Sequence, residues 1–480
     1  MRSPRGAIAG ALLYAAAGLL PGAMLLAACG ASPGSGAETA VGTAESAGGE
    51  EASTPEPEAA EPSAAPILGT GHRRALSPNE RLVIERLFQD AEHVRELKFL
   101  RPVPVEVHDR AAIEAFVRQE IREDDLSTDR LMYVALGLIE PDTDIESMLV
   151  NVLGEQIVGY YDTKGARFVV RTDIMEELRQ GDSSPTESKM VIVHEMIHAL
   201  QDQHLGLGDK FEKDSDTDAG HAYHAVVEGD ATLGMVAYIM RGSGLDAATL
   251  TQNPTFLESI MGQAANMPGQ DELSSAPPIV RVPLLWGYIR GLNLCARGHG
   301  DGGWRKVDAI HERPPLSTEQ VAHPEKYLAN EAPVALTLPA LPELERAGFV
   351  PLKDDTLGEL ELGIFFGLPD QAEDPQAAAG WGGDRIRAYR RAEDTSASGE
   401  GAIVWLTAWD SEKDAKEAEV AARRAVGKRG AVVRRGLRVA MTLGLGPPLS
   451  DIAIASVLRP SAEISGGRGR KTAPATGDPH

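Results

Sequence analysis

The sixteen residues from Lys189 to His204 constrain this chain more than any other stretch. They read KMVIVHEMIHALQDQH and contain His194-Glu195-Met196-Ile197-His198, the pattern H-E-x-x-H. Met190, Val193, Ile197 and Leu200 recur at spacings of three and four, which predicts a buried helix. On a helix of about 100° per residue, His194, His198 and Glu195 fall at roughly 0°, 40° and 100°. One face then carries two imidazoles one turn apart with a carboxylate beside them. Two imidazoles so placed can share one tetrahedral Zn²⁺. Glu195 is too close in sequence for a third ligand, and stands where it can take a proton from metal-bound water. With 12 His in 480 residues, the pattern arises by accident in roughly 2% of such chains. A core helix with two satisfied histidines has no need of a charged Glu between them, because an unpaired buried charge is costly.

The site needs a further protein ligand. Glu228, in HAYHAVVEGDATLGMVAYIM, is the candidate, with residues 199 to 227 between it and His198. A second helix is expected from about Ala219 to Arg241, with Ala225, Val226, Leu233, Val236, Ala237 and Met240 as its apolar set. Gly229 inside it costs about 1 kcal/mol relative to Ala. Close approach to the active-site helix is the expected compensation. His221 and His224 lie about 20° and 40° from Glu228 on that helix. Surface exposure is expected for both, the alternatives being to line the cleft or to replace Glu228 as a ligand.

These residues resemble the zincin metallopeptidases in the gluzincin arrangement, H-E-x-x-H on one helix and a Glu ligand on the next. They are most similar to a group of secreted bacterial zincin-like lipoproteins with an HALQDQH run after the motif and EGDA at the third ligand. The resemblance covers roughly Ala75 to Leu328. It implies a zinc-dependent metallopeptidase that holds one Zn²⁺ on His194, His198 and Glu228 and hydrolyses peptide or protein substrates. In thermolysin-like gluzincins a carboxylate four residues after the Glu ligand supports a metal-binding His. That position here is Thr232, so the support is weaker or comes from elsewhere. Asp202, one turn after His198 on the same face, is the candidate to orient the imidazole, with a plain solvated residue as the alternative. Asp230, about 200° around the helix from Glu228, is expected to face away.

The resemblance also implies an edge strand above the metal that pairs with extended substrate. Two β-rich runs, Ile157–Tyr161 and Arg167–Arg171, flank the turn Asp162-Thr163-Lys164-Gly165. They predict a hairpin and make it the candidate; ordinary sheet is the alternative. The related proteins have a similar STEQ…HPEKY stretch, here Ser317 to Gln320 and His323 to Tyr327. A tetrahedral oxyanion gains from a donor beside the metal. His323 and Tyr327 are the candidates, against a structural turn.

The rest of the chain sets the context. Arg2 and Arg5 precede an uncharged apolar run, Ala7 to Ala28, which ends Leu26-Ala27-Ala28-Cys29-Gly30. This resembles a bacterial lipobox, so residues 1–28 are read as a lipoprotein signal peptide and Cys29 as the lipidated residue. Residues 29–71 form an acidic Ala/Gly/Ser/Pro/Glu tether, too poor in large apolar groups to fold. Residues 72–345 are the catalytic domain, 346–460 a small α+β domain, and 461–480 a disordered tail. Once Cys29 is lipidated, Cys295 has no disulfide partner and is read as a small buried hydrophobe. The fold class is α+β: a mainly helical, zincin-like domain with a small sheet, followed by the small α+β domain. The net charge of -24 argues against nucleic acid or anionic lipid as a direct partner, leaving the lipid anchor as the link to the cell envelope. Two rival readings remain: a non-catalytic zinc-binding envelope protein, and a zinc hydrolase of a non-protein amide.

Overall fold

The computed structural model describes residues 71–123, 126–180, 186–207, 216–265, 271–393 and 401–459. The leader, Cys29, the tether before residue 71, residues 208–215 and residues 460–480 lie outside the described residues. Within them the chain is α+β, mostly helix with two small sheets. None of the described helices is long and apolar enough to cross a membrane.

The first sheet has four strands, β1 (Arg73–Ala75), β2 (Val105–His108), β3 (Gly159–Asp162) and β4 (Arg167–Arg171), in the order β1-β2-β4-β3. β2 and β4 run parallel, while the other two pairings are antiparallel. The expected hairpin is therefore β3–β4, and β3 is an edge strand. Helix α1 (Pro78–Arg95) starts where Ser77 and Glu80 form a capping box with Pro at the first turn, the arrangement that satisfies two free N–H groups reciprocally. Asp109 caps α2 (Arg110–Glu123), its Oδ1 accepting from Ala112 N at 2.9 Å. Helices α3 (Ser127–Leu136), α4 (Ile145–Gln156) and α5 (Thr172–Gln180) complete this layer.

Two long helices carry the motif residues. α6 (Glu187–Leu205) begins at Thr186, whose hydroxyl accepts from Lys189 N, and ends at Gly206 in the left-handed region at φ 67°. Met190, Val193, Ile197 and Leu200 are buried as the periodicity requires, but so are Val191, Ile192, Met196 and Ala199. The helix is thus enclosed on all sides. α7 (Thr217–Met240) is enclosed along nearly its whole length. Then come α8 (Pro254–Ala265), the long α9 (Pro278–Gly302), α10 (Trp304–Glu312), and the short α11 (Thr318–Ala322) and α12 (Pro324–Leu328).

The expected reason for Gly229 needs correcting. A Cβ on Gly229 would lie 2.1 Å from the carbonyl carbon of Gly291, and one on Gly291 would lie 1.8 Å from Ala225 O. The close approach is therefore between α7 and α9. Against α6 the small residue is Gly234, whose Cβ would sit 2.4 Å from Ile197 Cδ1.

The second sheet, β5 (Phe349–Asp355), β6 (Trp381–Arg391), β7 (Gly401–Trp409), β8 (Gly430–Arg435) and β9 (Arg438–Leu443), is antiparallel throughout in the order β5-β6-β7-β9-β8. Helices α13 (Gly358–Gly367), α14 (Glu412–Val426) and α15 (Pro447–Val457) accompany it. Ser411 caps α14. On α13, Phe365 packs at a tilt against Trp405 and Phe366 stacks on Trp409, at centroid distances of 5.3 and 6.2 Å. One hydrophobic cluster runs continuously from Ile84 through α6, α9 and α13 to Leu443.

Candidate metal centre

His194 and His198 lie one turn apart on α6, and α7 crosses so that Glu228 faces both. His194 Nε2 is 3.0 Å from His198 Nε2 and 3.1 Å from Glu228 Oε2; His198 Nε2 is 3.6 Å from the same oxygen. A tetrahedral site with bonds of about 2.0–2.1 Å has ligand-to-ligand edges of about 3.3–3.4 Å. The three atoms thus form a triangle of the right size to be one face of such a site. The donor set, two imidazoles and a carboxylate, is one that Zn²⁺ accepts with a fourth position left for water or substrate. His194, Glu195 and His198 also stand as a possible metal-holding group by proximity.

Glu195 does not belong to that triangle. Its Oε2 accepts from Tyr161 N on edge strand β3 at 3.0 Å, and its Oε1, buried, has no partner. The carboxylate is 1% exposed, and burial pushes it up to about 8. Burial works against charge on the other groups too. It holds His194 below the usual imidazole range. At His198 the Glu228 carboxylate overrides burial and raises the ring to about 9. At Glu228 burial is overcome by the charge on His198 and by hydrogen bonds from the histidines, so the carboxylate is held well below its ordinary value. In this set the negative charge of Glu228 is set against the positive charge on His198.

Several expectations about the surroundings are corrected. Asp202 does not orient a metal-binding imidazole: its Oδ2 accepts from Tyr161 OH at 2.8 Å and pairs with Arg101 at 3.3 Å. Thr232 is buried, and its hydroxyl makes no hydrogen bond. Asp230 is turned away from Glu228, but not into an empty surround. α7 is enclosed all round, so the far side of Glu228 is another interior. There Asp230 pairs with Arg95 at 2.7 Å and with His311 Nε2 at 3.0 Å, all three fully buried. His221 and His224 are buried, not exposed. His221 Nε2 contacts Glu361 Oε1 at 3.0 Å, while His224 Nε2 lies 3.2 Å from Glu228 Oε1.

The two oxyanion candidates are committed elsewhere. Tyr327 OH donates to Arg313 O at 2.8 Å, and His323 Nε2 contacts Glu359 Oε1 at 2.9 Å. The polar groups that do gather at Glu228 are His224 and Tyr288. Tyr288, on α9, hydrogen-bonds Glu228, and its ring stacks on His194 with centroids 5.7 Å apart. No local pattern signalled Tyr288, because a tyrosine inside an apolar helix reads as core.

Gln201 was missed as well. Its Oε1 meets His198 Nδ1 at 2.8 Å. The i, i+3 spacing from His198 was the available signal, and Asp202 at i+4 drew attention from it. Another cluster that could hold a metal, Glu319, Glu331 and Asp410, has its charge met by the Lys326 ammonium, which lies 2.6 Å from Glu319, 3.0 Å from Glu331 and against Asp410.

The model of one family, a domain of unknown function (DUF8575), matches residues 348–446, a stretch that takes in the second sheet and does not reach the histidines. No curated protein and no solved structure matches the chain.

Proposed function

We propose that the chain is a zinc-dependent metallopeptidase of zincin type, exported and held to the cell envelope by lipid on Cys29, with one Zn²⁺ on His194, His198 and Glu228. The observation that carries this reading is the 3.0–3.6 Å triangle of His194 Nε2, His198 Nε2 and Glu228 Oε2 with the free oxygen of Glu195 beside it. Bound Zn²⁺ would supply Lewis acidity, polarising a scissile carbonyl and making water a better nucleophile.

The chain's own residues supply the rest. Glu195 Oε1 has no partner to give up, so in the ionised form, which the positive charge of a bound Zn²⁺ would favour, it would accept a proton from the attacking water and return it to the leaving amine. Tyr161 N–H holds the other oxygen and fixes the carboxylate's direction. β3 pairs with β4 on one side only, and its other edge meets α6 through Tyr161. An extended peptide laid along that edge would place its backbone next to Glu195, the generic way sheet edges take peptides. Tyr288 and His224, both touching Glu228, keep its carboxylate oriented.

Metal analysis tests the site. The purified chain is expected to hold about one Zn²⁺, and the double variant His194→Ala/His198→Ala none. Stoichiometric zinc in the double variant would sink the reading. One observation favours a second reading, a non-catalytic zinc-holding envelope protein: His194, Glu195, His198 and Glu228 are all buried. A zinc-loaded chain that cleaves nothing in a broad peptide library would make that the better account.

A further inference from the structure

His198 has two ring nitrogens, and only the one without a proton can face a metal. The residue that decides between them is Gln201, one turn on along α6. Its Nε2 donates to Val227 O at 3.0 Å and to Asp230 Oδ2 at 2.9 Å. Neither partner can donate in return. Val227 offers a carbonyl. Asp230 offers a carboxylate whose two oxygens are both gripped by the Arg95 guanidinium. An amide has two N–H donors on one end and only an acceptor on the other. With both donors spent on α7, the acceptor Oε1 is turned to His198 Nδ1 at 2.8 Å. The reverse orientation would set the amide oxygen against two acceptors, so the bonding network selects the one seen.

Asp230 in turn cannot move. Arg95 grips both of its oxygens, at 2.7 and 3.1 Å, and His311 adds a contact at 3.0 Å. Arg95 comes from α1, His311 from α10, Asp230 from α7 and Gln201 from α6. Four helices therefore converge on one amide. On the metal-centre reading above, we infer that Gln201 is the positioning residue of that centre. The Asp230–Arg95–His311 cluster locks its amide, the amide keeps the proton of His198 on Nδ1, and Nε2 is left to the metal. The carboxylate that would ordinarily orient such a histidine directly stands here one residue further back, with Gln201 between.

The test uses the full chain and its Gln201→Met variant, a side chain of similar length that accepts no comparable hydrogen bond. Zinc affinity is read by competition with a chromophoric chelator, and the His198 ring by ¹⁵N spectroscopy of the zinc-loaded protein. The wild type is expected to hold zinc with the His198 proton on Nδ1. Gln201→Met is expected to bind zinc about 10–100-fold more weakly, the usual effect of removing a partner of a metal-bound histidine. Wild-type zinc with unchanged affinity in the variant overturns this inference alone. A wild type that takes up no zinc overturns the metal reading and this inference with it. Should Gln201→Met not fold, the wild-type spectrum decides: a proton on Nε2, with Nδ1 on the metal, refutes the role of Gln201.

Discussion

Two neighbouring residues on α6 show what could be read at the residue scale. That His194 and His198 stand side by side was legible, because an i, i+4 pair on a helix puts two imidazoles one turn apart. Their support was not. Gln201 and Asp202 both follow His198 by about one helical turn, and the charged one was the natural choice. The structure gives Asp202 to Tyr161 and Arg101, and Gln201 to His198. Nothing local in sequence says that Arg95 and His311, more than a hundred residues and about eighty residues from Asp230, will bury that aspartate and aim the amide. The residue-scale prediction concerns the one carboxylate without a ligand's role. Glu195→Gln keeps size and the hydrogen bond to Tyr161 N but cannot take a proton. Zinc content and circular dichroism should match the wild type, while peptide cleavage should fall by about 10²–10⁴-fold. Glu228→Ala should instead release zinc, measured in the same dialysed samples.

At the scale of elements, the three-and-four spacing of Met190, Val193, Ile197 and Leu200 located α6, and the structure shows Ser77, Asp109, Thr186 and Ser411 each satisfying free N–H groups at a helix start. Periodicity could not say which helix a glycine packs against. Gly291→Ala places a methyl group in the carbonyl of Ala225, and should destabilise the chain by about 3 kcal/mol, the upper part of the usual overpacking range. Gly242→Ala, with nothing within 4 Å, should change stability by less than about 0.5 kcal/mol. Thermal melts of the two variants side by side check this. The start of α1 adds a pH dependence. Arg74 hydrogen-bonds Glu80 and, with the Ser77 cap, holds its carboxyl at about 2, against an ordinary value of 4.5. A depressed carboxyl contributes stability above its unfolded value and loses it as pH falls through the folded one. Arg74 is half exposed, which limits the pair's worth. Glu80→Gln should therefore cost only about 1 kcal/mol at pH 7, and the difference from wild type should shrink to nothing between pH 4.5 and 2, read from urea midpoints.

Across the whole molecule, the STEQ…HPEKY stretch works as a clasp between the motif helices and the second sheet. Thr318 holds Asp218 of α7 through both N–H and hydroxyl, His323 meets Glu359 of α13, and Lys326 meets Asp410 beyond β7. Tyr327 and His323 looked like catalytic donors because their residue types suit an oxyanion; in the structure Tyr327 closes back on the carbonyl of Arg313 just before the stretch, and His323 reaches Glu359 of α13, which only the fold brings near. Lys326→Met would leave Glu319, which burial already pushes up to about 7, beside Glu331 and Asp410 without a cation. Because Glu331 and Asp410 are 50% and 40% exposed and screened by solvent, a loss of about 1–2 kcal/mol is expected, seen as a lower urea midpoint, with zinc content unchanged. The central claim is that the buried triangle and Glu195 make one hydrolytic centre, and its most direct test is peptide-library cleavage by the zinc-loaded chain beside zinc-loaded Glu195→Gln. The account predicts cleavage by the first that disappears with a chelator, and cleavage reduced by at least about a hundredfold in the second. Equal cleavage by the two proteins, or none by the wild type while it holds zinc, would contradict it.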